Sequence, residues 1–392
     1  MRKVQQNTMT MFSNTFNTSA ELFAWLRSSA GGNLVVHDLD DPVYALIHYD
    51  RKKSDMTLPH VGACRSVVWN KVTNQLVMAG PCRSTNIEEA PASDFTVEEF
   101  VDGVMINMFY DTVTLTWRLT TRTQLDAGGN FYGKRTFAEL FWETFHVSGL
   151  TKDMLSTNTC YTWVLQHPDE RIVVAPAYGI ATIKLVHVTV VGIIGLAPGL
   201  GRFFPAKYDL KTLAEVNAFV TAEGVRKGAQ FQGVVLKTAA GQRFKLRTSQ
   251  YNEARLLRGN QAKRPYTWLE RWTQGRLPAY LRLYPEEECD ANAVVENFKT
   301  CTQELHDLYL KVYRKKELPL GQAPQKYRKL LWDAHKAGKG AFFPNLRQFM
   351  NEQDTARKLW LVNYTQRYGP SVEPSEAVDV DPNYIPSAGE EI

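Results

Sequence analysis

The chain has 392 residues, 44% of them hydrophobic, with a net charge of +5. That length allows two or three domains, and that apolar content excludes wholesale disorder. The charge is uneven: residues 1–254 hold 25 Lys/Arg against 23 Asp/Glu, residues 255–370 hold 21 against 12, and residues 371–392 hold six acids and no base. A basic third between a neutral body and an acidic tail points to an anionic partner, or else to solvated helix faces. Five cysteines without metal-ligand spacing imply reduced thiols. A polar N-terminus without an apolar core implies no signal peptide, and the longest apolar run, 188–200, is too short to span a bilayer and reads as buried strand and turn. The expected setting is cytoplasmic, with virion association as an extension of it.

In chain order, residues 1–29 read as a polar lead-in and a short helix capped by Ser19, with Leu22, Phe23, Trp25 and Leu26 on its apolar face. Runs at 33–37, 43–48, 65–70 and 75–79 predict an antiparallel meander, the last two joined by a turn at 71–74. The stretch from Glu99 to Met105 opens a hairpin that runs to Arg122. Phe137, Leu140, Phe141 and Phe145 predict an amphipathic helix over 135–147 whose aromatics form core. Strands are expected at 161–166, 171–174 and 181–190, a helix at 211–223, and a second hairpin over 231–237 and 242–248. From residue 254 helical spacing takes over. Phe298, Cys301, Leu305, Leu308 and Val312 define one packed face. The segment 318–324 breaks that helix, and two more are expected at 325–337 and 346–367. Residues 371–392, rich in Pro, Glu and Asp, read as a disordered acidic tail.

Five ordered elements between residues 40 and 255 carry a family resemblance. They are Cys64-Arg65 followed by Ser-Val-Val-Trp69, Arg83-Ser-Thr-Asn86, Phe100-Val-Asp102-Gly103, Trp163-Val164 followed by Pro168 and Arg171-Ile-Val, and Gln232-Gly233 followed by Lys245-Leu-Arg247 and Tyr251. Together they resemble the phage-type, ATP-dependent RNA ligases of the tRNA-repair kind. The resemblance implies an α+β fold: an antiparallel-sheet nucleotidyltransferase core over 30–253, then an all-α basic domain over 254–370. It also implies ATP, magnesium and RNA ends as ligands. The catalytic positions are degenerate. Phe100 stands where the family places its nucleophilic lysine, and Val164 and Gln232 stand where it places carboxylates. A lysine–AMP intermediate needs an amine, and phenylalanine has no lone pair to offer. No lysine lies between Lys71 and Lys134, so none can substitute from the same hairpin. No resident metal is expected.

The phosphate side is better kept. Arg65, Arg83, Asp102, Gly103, Arg122, Lys245 and Arg247 occupy positions that the resemblance gives to nucleotide and phosphate binding. Arginine replaces lysine as an anion contact but not as a nucleophile. Against this, the cations could simply pair with acids such as Asp102 and Glu99. A second basic surface holds Lys311, Arg314, Lys315, Lys316, Lys326, Arg328, Lys329, Lys336 and Lys339, with Tyr313, Tyr327 and Trp332 interleaved. It suits RNA through phosphate contacts and stacking, or it is an ordinary helix surface with its aromatics inward. The expected function is thus an RNA ligase-like pseudoenzyme that keeps a cationic nucleotide- or RNA-binding groove. The alternatives are a scaffold with protein partners in a viral or ribonucleoprotein assembly, and an active ligase with an atypical nucleophile.

Overall fold

Alternating apolar residues and turn signals give the first part of the chain three sheets. The computed structural model describes residue 12 and residues 14–190 and 199–368. The strands in chain order are β1 (Val35–His37), β2 (Tyr44–His48), β3 (Val67–Asn70), β4 (Gln75–Ala79), β5 (Thr85–Asn86), β6 (Phe95–Glu99) and β7 (Val104–Asp111). They continue as β8 (Thr116–Thr120), β9 (Thr159–Gln166), β10 (Thr182–Val190), β11 (Lys207–Tyr208), β12 (Gly233–Thr238) and β13 (Arg243–Arg247). The first sheet is the meander β1-β2-β3-β4. The second has the order β10-β9-β7-β8 and the third the order β11-β6-β12-β13-β5. Every pairing is antiparallel except β13 with β5.

Each sheet is covered by a helix whose apolar stripe the sequence supplies. Helix Ser19–Arg27 buries Leu22, Phe23 and Leu26 against the first sheet. Its cap is Thr18, whose hydroxyl accepts from the Glu21 N–H, rather than Ser19. Helix Phe137–Val147 opens with a Thr136/Glu139 capping box and buries Leu140, Phe141 and Phe145 around Trp163. Helix Leu213–Lys227 places Val216 and Val220 on Phe231, Val234 and Leu236 of the third sheet.

Two compact units result, 1–262 and 263–392. The expected boundary at 253/254 falls inside helix Ser249–Arg258, whose Tyr251, Ala254 and Leu257 are buried. The second unit, over its described residues, is all helical. Helix Glu288–Tyr309 packs Phe298, Cys301 and Leu305 into a core with Tyr327, Leu330, Leu331 and Leu346. The single helix expected over 346–367 is two, Phe343–Glu352 and Thr355–Tyr368. Asp354 restarts the helix by accepting from the Ala356 N–H at 2.7 Å. The expected acidic tail, and the expected turn at 191–198, lie outside the described residues.

Polar bonds fasten the first sheet to the second. The Tyr44 hydroxyl donates to Asp111 at 2.6 Å, and Arg118 bridges Asp41 and Asp126 at 2.8 Å each. Burial pushes the Asp111 carboxyl up, but hydrogen bonds from Tyr44, Val113 and Thr114 outweigh it and hold the group below the usual range. Asp41 is lowered in the same way, burial being outweighed by donors from Tyr44, Arg118 and Val43. A carboxylate depressed in the folded state stabilises above its unfolded pKa, and that stabilisation is lost as pH falls through the folded value. Thermal melts should therefore hold level above about pH 5 and drop steeply below about pH 4. Asp111→Asn should flatten that acid limb.

Candidate phosphate-binding cleft

The third sheet and the link that leaves it build a cleft of about 200 Å³. The expected hairpin is present as β7 and β8, but it starts at Val104 and leaves residues 99–103 outside it. Strand β6 ends at Glu99 in the third sheet, β7 begins at Val104 in the second, and Phe100–Gly103 crosses between them. The crossing needs glycine. Gly103 has φ +144°, and a Cβ there would lie 2.3 Å from the Leu165 carbonyl oxygen. The Phe100 N–H donates to the Gly233 carbonyl at 2.9 Å, which holds the link to the end of β12.

Side-chain alternation on β6, β12 and β13 then decides what faces the cleft. Glu98 pairs with Val235, Lys237 with Thr96 and Arg243, and Gly233 with Arg247. Phe100, Glu98, Lys237, Arg243 and Arg247 therefore share one face, and all line the cavity with Arg65, Val164, Gln232, Tyr251 and Arg255. Phe100 lies in the wall with the Arg247 guanidinium 4.9 Å from its ring centroid, a cation–π contact.

Asp102 does not pair with the arginines. Its Oδ2 accepts from the Val173 and Val174 N–H groups at 3.0 and 2.9 Å, and its Oδ1 accepts from the Tyr251 hydroxyl at 2.7 Å. Burial and the adjacent carboxylate push the Tyr251 hydroxyl far above its ordinary pKa, so it remains a donor. Thr248 positions Tyr251 by capping its helix. The same bonds explain a missing strand. The sequence predicts β structure over 171–174, but the Val173 and Val174 N–H groups go to Asp102 and the Arg171 N–H to the Pro168 carbonyl instead of a ladder.

The expected cations separate into groups. Arg65 and Arg247 line the cleft, while Arg83, Arg122 and Lys245 do not. Lys245 donates to the Ser84 carbonyl at 3.1 Å, and Arg122 donates to the Tyr49 carbonyl at 3.1 Å. Burial lowers the Lys245 ammonium, helped by Arg247, Arg51, Arg83 and Arg255, so these cations sit within one another's fields. Burial and Arg255 lower Arg247 likewise. Among the described residues, none of Arg65, Arg83, Lys245 and Arg247 has a carboxylate within ion-pair distance. The expected alternative of pairing with Asp102 or Glu99 is therefore not what the structure holds.

Glu98, Lys237, Arg243 and Arg255 line the cavity but are not among the residues that the sequence motifs single out. Lys237 is the lysine among the cavity-lining residues, and it comes from β12. Its ammonium donates to Glu98 and to the Val186 carbonyl. The period of two shared by Val235, Lys237 and the pairing strand was the available signal.

The residues present do not fit a resident magnesium ion. Glu98 is held by Lys237 and Asp102 by three donors, while Val164 and Gln232 offer no charge where the family resemblance expects carboxylates.

In the second unit Lys311, Arg314, Lys315, Lys316, Lys329 and Lys336 are exposed, but Lys326 pairs with Glu304 at 3.3 Å and the Arg328 Nε donates to the Ala323 carbonyl at 2.7 Å. Lys339 is half-buried. The interleaved aromatics divide. Tyr327 is core, Tyr313 stacks on His335 at 3.9 Å, and Trp332 is 54% exposed.

No family model matches the chain. An RNA ligase of Rhodothermus phage RM378 is 31% identical over 86 residues, a stretch that covers 19% of this chain and 19% of that protein. Among solved structures, an archaeal ATP-dependent RNA ligase aligns over 73% of this chain and 74% of its own, with a TM-score of 0.40 and 15% identity. An RNA ligase of Naegleria gruberi aligns over 44% of this chain and 57% of its own, with a TM-score of 0.31 and 15% identity. These similar proteins are RNA ligases. The chain spans about a fifth of the curated ligase it matches, so activity and substrate are matters of proposal.

Proposed function

We propose that this chain is an RNA ligase-like pseudoenzyme that binds nucleotide or RNA phosphates through the first-unit cleft and forms no lysine–AMP. The observation that carries the reading is the pair of cations lining the cleft, Arg65 and Arg247, without carboxylate partners among the described residues, with Lys245 and Arg83 outside the lining but in the field of Arg247. Unpaired guanidinium groups grouped in one place hold phosphate bidentately and gain by doing so. Phe100 supplies no nucleophile, and the lining lysine, Lys237, whose ammonium burial lowers, is engaged by Glu98 and the Val186 carbonyl. The phage ligase similarity favours RNA as the phosphate source.

Fluorescence anisotropy with a single-stranded RNA tests the binding half. Affinity should fall steeply with salt, and Arg247→Gln should weaken binding about tenfold and shallow the salt slope by about one. Binding unchanged by Arg247→Gln and Arg83→Gln would move the contact to the exposed lysines and Trp332 of the second unit. No binding at low salt would leave the scaffold role. Labelled ATP tests the chemical half. The protein should acquire no alkali-stable, acid-labile label of the phosphoramidate kind, and such a label on Lys237 would overturn the pseudoenzyme reading.

A further inference from the structure

The two ends of the cleft differ in kind. Arg247, Gly233 and Phe100 mark one end. Arg243, Lys237 and Glu98 mark the other, four residues or about 13 Å further along β13. This second end is the buried one: Lys237 and Glu98 are each 8% exposed. Three cations, Arg65, Arg243 and Lys237, face the single carboxylate of Glu98 there, and that carboxylate is taken by Lys237. Neither arginine has a carboxylate partner among the described residues. The Arg243 Nε is buried with no acceptor, and the remaining contact of its guanidinium is a long one, 3.5 Å, to the Cys82 carbonyl. Arg65 makes no side-chain hydrogen bond among the described residues.

A buried guanidinium without a counter-charge is costly, by several kcal/mol when a partner is removed from a buried pair. A buried donor without an acceptor marks a place that a water or an ion fills. Two arginines of intermediate exposure within one another's field, one of them with a buried Nε that meets no acceptor, call for an anion. We propose that the buried end of the cleft is a site for a terminal phosphate group, whose oxygens accept from Arg65 and Arg243 while Lys237, steadied by Glu98, adds a third donor. The group is either the end of a polyphosphate or a phosphate monoester on a polynucleotide end. Burial and the neighbouring arginine push Arg243 down to about 10, and burial lowers Arg65, both consistent with positive charge awaiting compensation. Size agrees: about 200 Å³ is below the roughly 300–1,000 Å³ of sites that enclose a drug-sized ligand, but ample for a phosphate. The inference rests on the reading of the cleft as a phosphate binder and assigns the terminal group to one end of it.

The test uses the full chain and inorganic phosphate against chloride at constant ionic strength, read by thermal shift and calorimetry. Phosphate should raise the Tm by at least about 3 °C, as a ligand of the native state does. Arg243→Gln and Arg65→Gln should each weaken phosphate at least tenfold, Arg243→Lys should fall between, and Arg226→Gln, on an exposed helix surface outside the cleft, should stay within twofold. Without phosphate the two glutamine variants should melt no lower than the parent, because each removes one of two repelling charges. Paired ligands then separate the sources: a 5′-phosphorylated oligoribonucleotide against its 5′-hydroxyl twin, and ATP against adenosine. Preference for the phosphorylated member of either pair, lost in Arg243→Gln, supports the site. No phosphate-dependent shift, or a shift that survives both glutamine variants, overturns it. A lower Tm in both variants with unchanged phosphate affinity would assign the arginines to the fold and overturn it as well. RNA binding that still depends on Arg247 in such a case would leave the broader reading standing.

Discussion

Gly233→Ala is expected to cost on the order of 4 kcal/mol and to lower the Tm of the first unit by roughly 10 °C. Gly233 begins β12 with φ +135°, and an added Cβ would sit 1.9 Å from the Leu246 carbonyl oxygen and 2.9 Å from the Arg247 Cα. Both are backbone atoms of the partner strand, so no side chain can move aside. Relief requires parting β12 from β13, which would break the Gly233–Arg247 pairing and the bond from Phe100 to the Gly233 carbonyl. Phosphate binding should fail in the same variant, since the cleft is lined from both strands. Circular dichroism melts and anisotropy on one preparation would check both. A loss under about 1 kcal/mol would show that the strands part easily there, contrary to the tight packing argued here.

Asp102→Ala should cost about as much, by another route. Three buried donors, the N–H groups of Val173 and Val174 and the Tyr251 hydroxyl, would lose their acceptor together. Each orphaned buried group costs about 1–3 kcal/mol, so a loss of about 4 kcal/mol is reasonable after partial hydration. Tyr251→Phe removes a single charge-assisted bond and should cost about 2 kcal/mol. The pair separates two roles for Asp102. A clamp that joins the crossing link, the 173–174 segment and helix Ser249–Arg258 predicts lost stability with phosphate affinity nearly intact in Tyr251→Phe. A direct ligand contact predicts lost affinity in both. Chemical denaturation and calorimetry on the two variants decide between them.

How far the sequence could be read follows from how local each signal was. The β7–β8 hairpin and helix Phe137–Val147 announce themselves, because alternation and a capping box act within a few residues. Strands β5 and β11 are two residues long and exist through partners far along the chain, so no local pattern marks them. Residues 171–174 carry strand-like composition, but Val173 and Val174 give their N–H groups to a carboxylate some seventy positions earlier. The site divides in the same way. Arg65 and Arg247 were legible from motif order, whereas Lys237 and Arg243 enter the cavity only through the β12–β13 register. No local pattern around Phe100 reaches a lysine supplied by another strand.

The contact between Phe100 and Arg247 bears on mutational history. An aromatic face beneath a guanidinium is a comfortable neighbour, whereas an ammonium in that place would meet like charge in a half-buried wall. Phe100→Lys alone would therefore be disfavoured by its surroundings before any chemistry was gained. Placing an amine at this position calls for coordinated substitutions, with Arg247 changed before or along with Phe100. The two positions are thus expected to vary as a pair, the residue at one setting which charge the other tolerates.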